Sequence, residues 1–129
     1  MLRFFLSLPL VAVLSIWPAL AETIASDRVA LVIGMSDYVS VPQLRNTVSD
    51  ARALSATLEE IGFDVDTLIN ASREEVIETL DDFAFRAETA DLALIYFAGH
   101  GVSVQGTTFL VPVDAVVKSN LDITTQAVT

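Results

Sequence analysis

The distribution of hydrophobic residues after residue 28 predicts alternating strands and helices. A continuous apolar run, Val29–Ile33, ends at Gly34 and is rich in β-branched residues. Such a run without polar alternation is typical of a strand that is buried on both faces. Residues 35–45 contain Pro42 and several polar side chains, so we predict that this segment is a loop.

A helical period of apolar residues replaces this pattern from Val48 onward. The predicted buried face of the helix consists of Val48, Ala51, Leu54, Leu58 and Ile61. Gly62 follows at the position where a glycine commonly ends a helix. Residues 63–69 then alternate between apolar or β-branched and acidic side chains, which predicts a short, less buried strand.

A second helix is predicted to begin after Ser72, which forms an S-x-x-E capping box with Glu75. Its predicted buried stripe consists of Val76, Ile77, Leu80, Phe83 and Ala84. The same stretch, Asn70-Ala71-Ser72, is formally a glycosylation sequon. We favour the capping role, because it has a local physical mechanism and nothing else in the sequence indicates glycosylation.

The most apolar strand of the chain is predicted at Leu92–Ala98, and we expect it to be buried and central. Residues 102–104 and 107–111 flank Gln105-Gly106 and predict a β-hairpin. The strand–helix–strand–helix–strand order implies right-handed βαβ units. The predicted fold class is therefore α/β, a mostly parallel sheet with helices on both faces.

The N-terminal segment has the features of a secretory signal peptide. Residues 1–21 carry one charge, Arg3, then an apolar stretch, and they end in Ala19-Leu20-Ala21. This order of basic, apolar and small residues predicts cleavage before Glu22, a short polar leader at 22–28 and an exported product. The alternative is an uncleaved anchor, since about 17 apolar residues is near the lower limit for spanning a bilayer. If the signal is cleaved, we expect no stable membrane anchor.

Composition narrows the class of protein further. The chain has 129 residues, of which 53% are hydrophobic and none is cysteine. A disordered chain and a disulfide framework are thereby excluded. The net charge is −10, and it becomes −11 once the segment containing Arg3 is removed. We therefore expect no nucleic-acid partner, because no basic surface is present to replace the counterions of a phosphate backbone.

The main candidate for chemistry is His100, the single histidine of the chain. It follows an apolar strand and lies between Gly99 and Gly101, at the strand end where α/β sheets bind ligands. Imidazole transfers protons near neutral pH, and the Gly101 amide could bind a developing oxyanion. A lone histidine is also commonly a structural hydrogen-bonding residue, so position alone leaves the two roles open. No P-loop, nucleophilic-serine turn or metal-ligand spacing accompanies it, and we predict no cofactor.

Asp50 is a second, weaker candidate. It falls in the first turn of the first predicted helix, where a carboxylate interacts favourably with the helix dipole. That structural role is the simpler interpretation, and substrate binding is the alternative.

Several segments together resemble a known family. These are Arg28–Gly34 with Tyr38, Leu44-Arg45-Asn46 with Asp50-Ala51, Leu58 with Gly62–Val65, Tyr96–Gly101, and Leu110–Ala115. In this order they resemble the large-subunit (p20) half of caspase-like, or metacaspase-like, cysteine peptidases of the exported bacterial kind. The resemblance covers about Val29–Ala115 and assigns residues 29–129 to the N-terminal part of such a domain. It implies a flavodoxin-like α/β sandwich, incomplete in this chain.

The resemblance also implies a chemistry. Such peptidases cleave peptide bonds with a Cys–His dyad and no metal. His100 matches the catalytic histidine and Gly101 the oxyanion-binding amide, while Asp50 matches an acid that binds a basic substrate residue before the scissile bond. The implied partner is thus a peptide or protein with Lys or Arg at that position.

The chain departs from the family pattern at the nucleophile. A caspase cysteine lies roughly 50 residues beyond the histidine, which would be past Thr129, and the chain has no cysteine. We expect a fragment of a longer peptidase, itself inactive. The alternative is a non-catalytic pseudopeptidase or protein-binding scaffold.

Overall fold

The computed structural model describes residues 27–129. Its elements are β1 (Arg28–Gly34), α1 (Thr47–Glu60), β2 (Asp64–Ile69), α2 (Arg73–Ala87), β3 (Leu92–Ala98), β4 (Gly101–Val104), β5 (Thr107–Leu110) and α3 (Asn120–Gln126). The predicted signal peptide at 1–21 and most of the leader at 22–28 lie outside the described residues. Among residues 27–129, no helix combines the length and the apolar character needed to cross a membrane.

The three parallel strands form one sheet in the order β2-β1-β3. β1 is central, and Ile33 pairs with Leu68 on one side and with Phe97 on the other. Alternate residues of β1 belong to two separate apolar clusters. One cluster contains Ala51 and Leu58 of α1, and the other contains residues of α2, so the helices cover opposite faces. The predicted α/β class with helices on both faces is confirmed.

The first helix ends as the sequence predicts, but one predicted core residue is wrong. Gly62 has a φ of +89°, and its amide bonds to the Glu59 carbonyl while the Phe63 amide bonds to the Leu58 carbonyl. These two bonds form a Schellman motif, which favours glycine at the left-handed position. Ile61 lies beyond the last helical residue, so it turns away from the buried face and is 54% exposed.

The second helix begins with the predicted capping box between Ser72 and Glu75. Asn70, the residue of the formal sequon, is half-buried and bonds to the loop after β1: its side-chain NH₂ donates to Asp37, and its side-chain oxygen accepts the backbone N–H groups of Ser36 and Asp37. These contacts support the capping interpretation over glycosylation. Ala84 is exposed rather than buried. It lies about 100° around the helix from the buried Phe83, beyond the face that packs on the sheet.

The prediction that Leu92–Ala98 is a buried central strand is wrong in one respect. β3 forms at these residues, but it lies at the edge of the described sheet and pairs there only with β1. Leu92 and Ile95 are consequently 50% and 53% exposed. Apolar composition predicted a strand correctly, although it did not indicate which strand occupies the centre of the sheet.

The segment after His100 folds as a hairpin and a short third helix. β4 and β5 pair antiparallel as predicted, and Gln105 and Gly106 form the turn with φ values of +49° and +83°. α3 was not predicted. It is preceded by a second capping box, Ser119 with Asp122, and Val128 beyond it pairs with Leu110 of β5. These contacts attach the end of the described chain to the hairpin.

Candidate active site

The candidate site lies at the carboxyl ends of β1 and β3. The loop of residues 35–46 follows β1, and Gly99-His100-Gly101 follows β3. A hydrogen bond of 2.8 Å from the Met35 amide to the Ala98 carbonyl joins the two strands where they end. Adjacent parallel strands therefore deliver the loop and the histidine to one edge of the sheet, as expected for a ligand site in an α/β fold.

The His100 imidazole is held by a backbone carbonyl of the facing loop. Its Nε2 lies 2.7 Å from the carbonyl oxygen of Pro42. A carbonyl oxygen can only accept a hydrogen bond, so in the neutral imidazole Nε2 carries the proton and Nδ1 is left with a lone pair. The geometry thus assigns the tautomer and makes Nδ1 the nitrogen that can accept a proton from another group.

The loop that carries Pro42 is closed at its base by hydrogen bonds. The Ser36 hydroxyl donates to the Leu44 carbonyl at 2.5 Å, and the Leu44 amide donates back to the Ser36 carbonyl at 3.2 Å. Thr47, the first residue of α1, donates its hydroxyl to the Met35 carbonyl at 2.6 Å. These bonds fix both ends of the loop against the end of β1 and so limit the positions of the Pro42 carbonyl.

A second set of bonds holds the outer part of the loop to the chain after β5. The Val39 amide donates to the Val113 carbonyl at 3.0 Å. Ser40 uses its hydroxyl twice, accepting the Val117 amide at 3.0 Å and donating to the Val117 carbonyl at 3.2 Å. The loop is therefore attached both to the sheet edge and to the segment that precedes α3.

Tyr38 contacts His100 from the same loop. Its hydroxyl oxygen accepts the backbone N–H of His100 at 2.8 Å, and the two rings are 4.7 Å apart at an angle of 60°. The side chain is only 5% exposed. Burial raises the pKa of Tyr38 above its ordinary value, and the hydrogen bond from the His100 amide opposes part of that rise. The phenol is therefore neutral at ordinary pH.

Gly101, next to the histidine, is an exposed residue at the start of β4. It opposes Leu110 in the hairpin, and the Val111 amide bonds to the His100 carbonyl at 3.0 Å. This bond makes Gly101 and Leu110 a non-hydrogen-bonded pair, so the N–H of Gly101 points away from β5. Its predicted role as an oxyanion donor stays a prediction.

Asp50 lies in the first turn of α1, at the same edge of the sheet. Its side chain is exposed, and its amide donates to the Asn46 carbonyl at 2.9 Å. Among residues 27–129, no hydrogen bond or ion pair joins its carboxylate to His100. The location suits both the helix-dipole role and contact with a substrate, so the predicted substrate role is neither excluded nor established by position.

Comparison with known proteins decides the family. Residues 27–128 match the peptidase family described as Caspase domain, which is most of the chain. The chain belongs to the caspase family. The resemblance inferred from the strand and Ala-Gly-His-Gly segments is thus confirmed at the level of the family.

This caspase domain is similar to the human and mouse forms of one mammalian protein. They are the mucosa-associated lymphoid tissue lymphoma translocation protein 1 of Homo sapiens and its homolog in Mus musculus. Each is 34% identical over 94 residues, which are 73% of this chain and 11% of the relative. The chain therefore spans about a tenth of the length of these relatives. Neither name designates a metacaspase, so that narrower assignment stays a prediction.

The caspase domain contains no thiol in this chain, and the described part holds no evident metal site. Cysteine is absent from the sequence. Within residues 27–129, no three histidine, cysteine, aspartate or glutamate side chains are grouped so that they could hold a metal ion.

A cleft of about 240 Å³ lies at the opposite, amino-terminal end of the strands, where Asp27, Asp64, Phe85 and Arg86 contribute to its lining. It is remote from His100.

Sequence reasoning missed the residues that orient the histidine. The sequence pattern predicts only a loop at Pro42 and indicates no role for Ser36 or Ser40. The available signal was topological, because the loop after β1 and the residues after β3 must meet at one sheet edge. Nothing in the sequence identified which carbonyl of that loop would receive the imidazole.

Proposed function

We propose that this caspase domain is the histidine-bearing part of a cysteine-type endopeptidase. The observation that carries the proposal is the contact between His100 Nε2 and the Pro42 carbonyl, which leaves Nδ1 able to accept a proton. The thiol comes from a polypeptide segment outside this chain, because the chain has no cysteine.

In the proposed reaction, His100 takes up and releases a proton twice, once while the thioester forms and once while it is hydrolysed. Nδ1 takes the proton of the cysteine thiol, and the thiolate sulfur attacks the carbonyl carbon of the substrate peptide. The resulting oxyanion receives the Gly101 N–H. The imidazolium then returns its proton to the leaving amine as the C–N bond breaks, which produces a thioester. The same imidazole then deprotonates a water molecule, whose oxygen attacks the thioester carbonyl carbon. The C–S bond breaks, the carboxylic acid product leaves, and the imidazolium returns its proton to the thiolate.

The Pro42 carbonyl supports this cycle when His100 becomes doubly protonated. Its oxygen lies 2.7 Å from Nε2 and continues to accept that N–H in the imidazolium, whose positive charge strengthens the bond. Pro42 therefore keeps the ring in place while the charge changes.

We further propose that the substrate has Lys or Arg before the scissile bond and that the peptidase is exported. Asp50 is exposed at the edge where His100 lies, and a carboxylate is complementary to either basic side chain. Export rests on the predicted signal peptide at 1–21. The metacaspase-like, exported bacterial type belongs to this proposal as well.

The experiment uses the product of the complete reading frame that contains this chain. Internally quenched peptides with a single Arg, Lys or Asp are offered to the wild type, to His100→Ala and to a control with Gln105→Ala at the exposed hairpin turn. We expect His100→Ala to lower kcat/KM by about 10²–10⁴-fold, the usual contribution of a general base, while the control resembles the wild type.

Two results would overturn the proposal. One is turnover that survives His100→Ala in a protein with unchanged circular dichroism. The other is a reading frame that encodes no cysteine, which would favour the alternative of a non-catalytic pseudopeptidase or scaffold domain.

A further inference from the structure

We propose that Tyr38 is a positioning residue for His100, acting through the histidine backbone rather than through the reacting atoms. Its consequence for catalysis rests on the proposed peptidase function. Its structural basis does not, because both contacts between the two residues are observed directly in this chain.

The two residues meet through a polar and an aromatic contact. The Tyr38 hydroxyl oxygen accepts the His100 backbone N–H at 2.8 Å, across 62 positions of sequence. The tyrosine ring lies 4.7 Å from the imidazole, tilted by 60°. The first contact fixes the histidine main chain, and the second restricts rotation of its ring.

Tyr38 and Pro42 together hold His100 at two separate points. Tyr38 bonds to the backbone nitrogen, whereas Pro42 bonds to Nε2 at the far end of the side chain. Because these points lie at opposite ends of the residue, fixing both determines the direction of Nδ1. A shift of the backbone by a fraction of an ångström would change that direction, even with the Pro42 bond intact.

The tyrosine itself is held firmly. It is 5% exposed, belongs to the apolar cluster on the α2 face of the sheet and donates its own amide to the Ser36 carbonyl at 3.0 Å. Burial raises the pKa of the phenol, so the hydroxyl is neutral over the range in which an imidazole transfers protons. Tyr38 therefore orients His100 without exchanging protons with it.

Gly99 is required for this arrangement. A Cβ at residue 99 would lie 2.5 Å from the Tyr38 hydroxyl oxygen and 2.7 Å from the Phe97 ring. Any side chain there would push the hydroxyl away from the His100 amide. Gly99 thus has a specific structural role: the absence of a side chain leaves space for the Tyr38 hydroxyl that bonds to the His100 amide.

The first test measures His100 in the 129-residue chain by nuclear magnetic resonance with labelled histidine. His100 is the single histidine, so its imidazole and amide signals need no further assignment. Tyr38→Phe removes the hydroxyl and keeps the ring, and Tyr96→Phe, at the other tyrosine, is the matched control. We expect Tyr38→Phe to move the His100 amide proton signal upfield and to change the chemical shifts of the imidazole ring, while Tyr96→Phe changes neither.

If Tyr38→Phe reduces the folded fraction, Gly99→Ala serves as the second variant. The methyl group displaces the hydroxyl and should produce the same changes at His100. Unaltered amide and imidazole signals in a folded Tyr38→Phe or Gly99→Ala chain would overturn the inference.

The second test measures kinetics in the product of the complete reading frame. Tyr38→Phe should lower kcat by roughly 10- to 100-fold, the cost of a small misplacement of a reacting group, and leave KM within about twofold. The pH profile of kcat should keep its shape, because Tyr38 transfers no proton. An unchanged kcat, or a loss confined to KM, would contradict a positioning role.

The outcomes separate this inference from the proposed function. If Tyr38→Phe changes the His100 resonance signals but the full polypeptide shows no turnover that depends on His100, the contact is supported and the peptidase proposal is wrong. If turnover depends on His100 but is unchanged in Tyr38→Phe, the peptidase proposal is supported and the positioning role of Tyr38 is wrong.

Discussion

At the scale of single residues, the site depends on contacts that span long stretches of sequence. The Pro42 carbonyl and His100 Nε2 are separated by 58 positions, and Tyr38 and His100 by 62. Neither contact exists in an unfolded chain. The chemistry of the imidazole, namely which nitrogen carries the proton, is therefore a property of the folded sheet edge and not of the local sequence.

Asp50 offers a test of substrate preference at the same scale. In the full polypeptide, Asp50→Asn should reduce the preference for Arg and Lys peptides over Asp peptides, because the variant loses the complementary charge. The measurement compares kcat/KM on matched peptides. Glu60→Gln, at the other end of α1, removes an equal charge away from the site and is the control.

Thermal unfolding of the same variants separates the two roles of Asp50. A lower melting temperature with an unchanged preference for basic residues would assign the carboxylate to the helix dipole alone. A wild type that prefers Asp peptides would also contradict the pocket role.

At the scale of elements, two capping boxes determine where helices begin. Ser72 accepts the Glu75 amide, and the Glu75 carboxylate accepts the Ser72 amide at 2.8 Å. The backbone N–H of Ser72, and then its hydroxyl, lower the pKa of Glu75 below its ordinary value. Asp122 in the first turn of α3 is the corresponding carboxylate: it accepts the amides of Lys118 and Ser119, which lower its pKa below its ordinary value.

The first box gives a prediction with a definite pH dependence. A carboxylate whose folded pKa is lowered stabilises the fold above its unfolded pKa, and the effect is lost as pH falls through the folded pKa. Glu75→Gln should therefore be less stable than the wild type at pH 7. The difference in stability should begin to shrink as the pH falls through the ordinary range of glutamate, near 4.3, and should vanish only below the lowered pKa of Glu75. Urea unfolding at several pH values measures this.

Two variants complete the capping experiment. Ser72→Ala should cost about 1 kcal/mol at pH 7, as expected for loss of an N-cap side chain. Glu74→Gln, one position before Glu75 in the same turn, is the matched control. The capping account would be contradicted if the stability difference between Glu75→Gln and the wild type stayed the same down to low pH. It would also be contradicted if Glu74→Gln lowered the stability by the same amount.

Local signals predicted most elements, because their causes are local. The strand β1, the capping box at Ser72, the end of α1 at Gly62 and the Gln105-Gly106 turn all follow from nearby residues. The misses have non-local causes. β3 is as apolar as a central strand, yet its place at the edge depends on which strands pair, and Ile61 and Ala84 are exposed because of how each helix ends or packs.

The candidate site, like the fold, could be predicted only where its signals are local in the sequence. His100 was identified from its position after an apolar strand and between two glycines. Pro42, Ser36 and Ser40 were not, because a backbone carbonyl is available at every residue and only the folded loop selects one. α3 was missed although Ser119 and Asp122 form an S-x-x-D start signal.

At the scale of the whole molecule, the described sheet leaves one edge of β3 without a partner strand among residues 27–129. Leu92 and Ile95 are half-exposed along it. Unpaired N–H and C=O groups beside apolar side chains provide a template for pairing with another chain. The 129-residue chain should therefore associate with itself, despite its net charge of −10.

Ile95→Lys tests this expectation, because lysine on an edge strand opposes pairing. Sedimentation or light scattering over a concentration series should show less association for Ile95→Lys than for the wild type. Leu121→Lys is the control, since Leu121 is also largely exposed but lies on α3. Equal effects of both substitutions would assign the association to general hydrophobicity or charge instead of to the β3 edge.

The tautomer of His100 tests the central claim most directly. Nitrogen resonance on histidine-labelled wild-type chain distinguishes protonated from unprotonated ring nitrogens, and the single histidine gives one pair of signals. In the neutral imidazole, we predict a protonated Nε2, bonded to the Pro42 carbonyl, and an unprotonated Nδ1. A protonated Nδ1, or an even mixture of the two tautomers, would contradict the claim that this loop prepares His100 to accept a proton from a thiol.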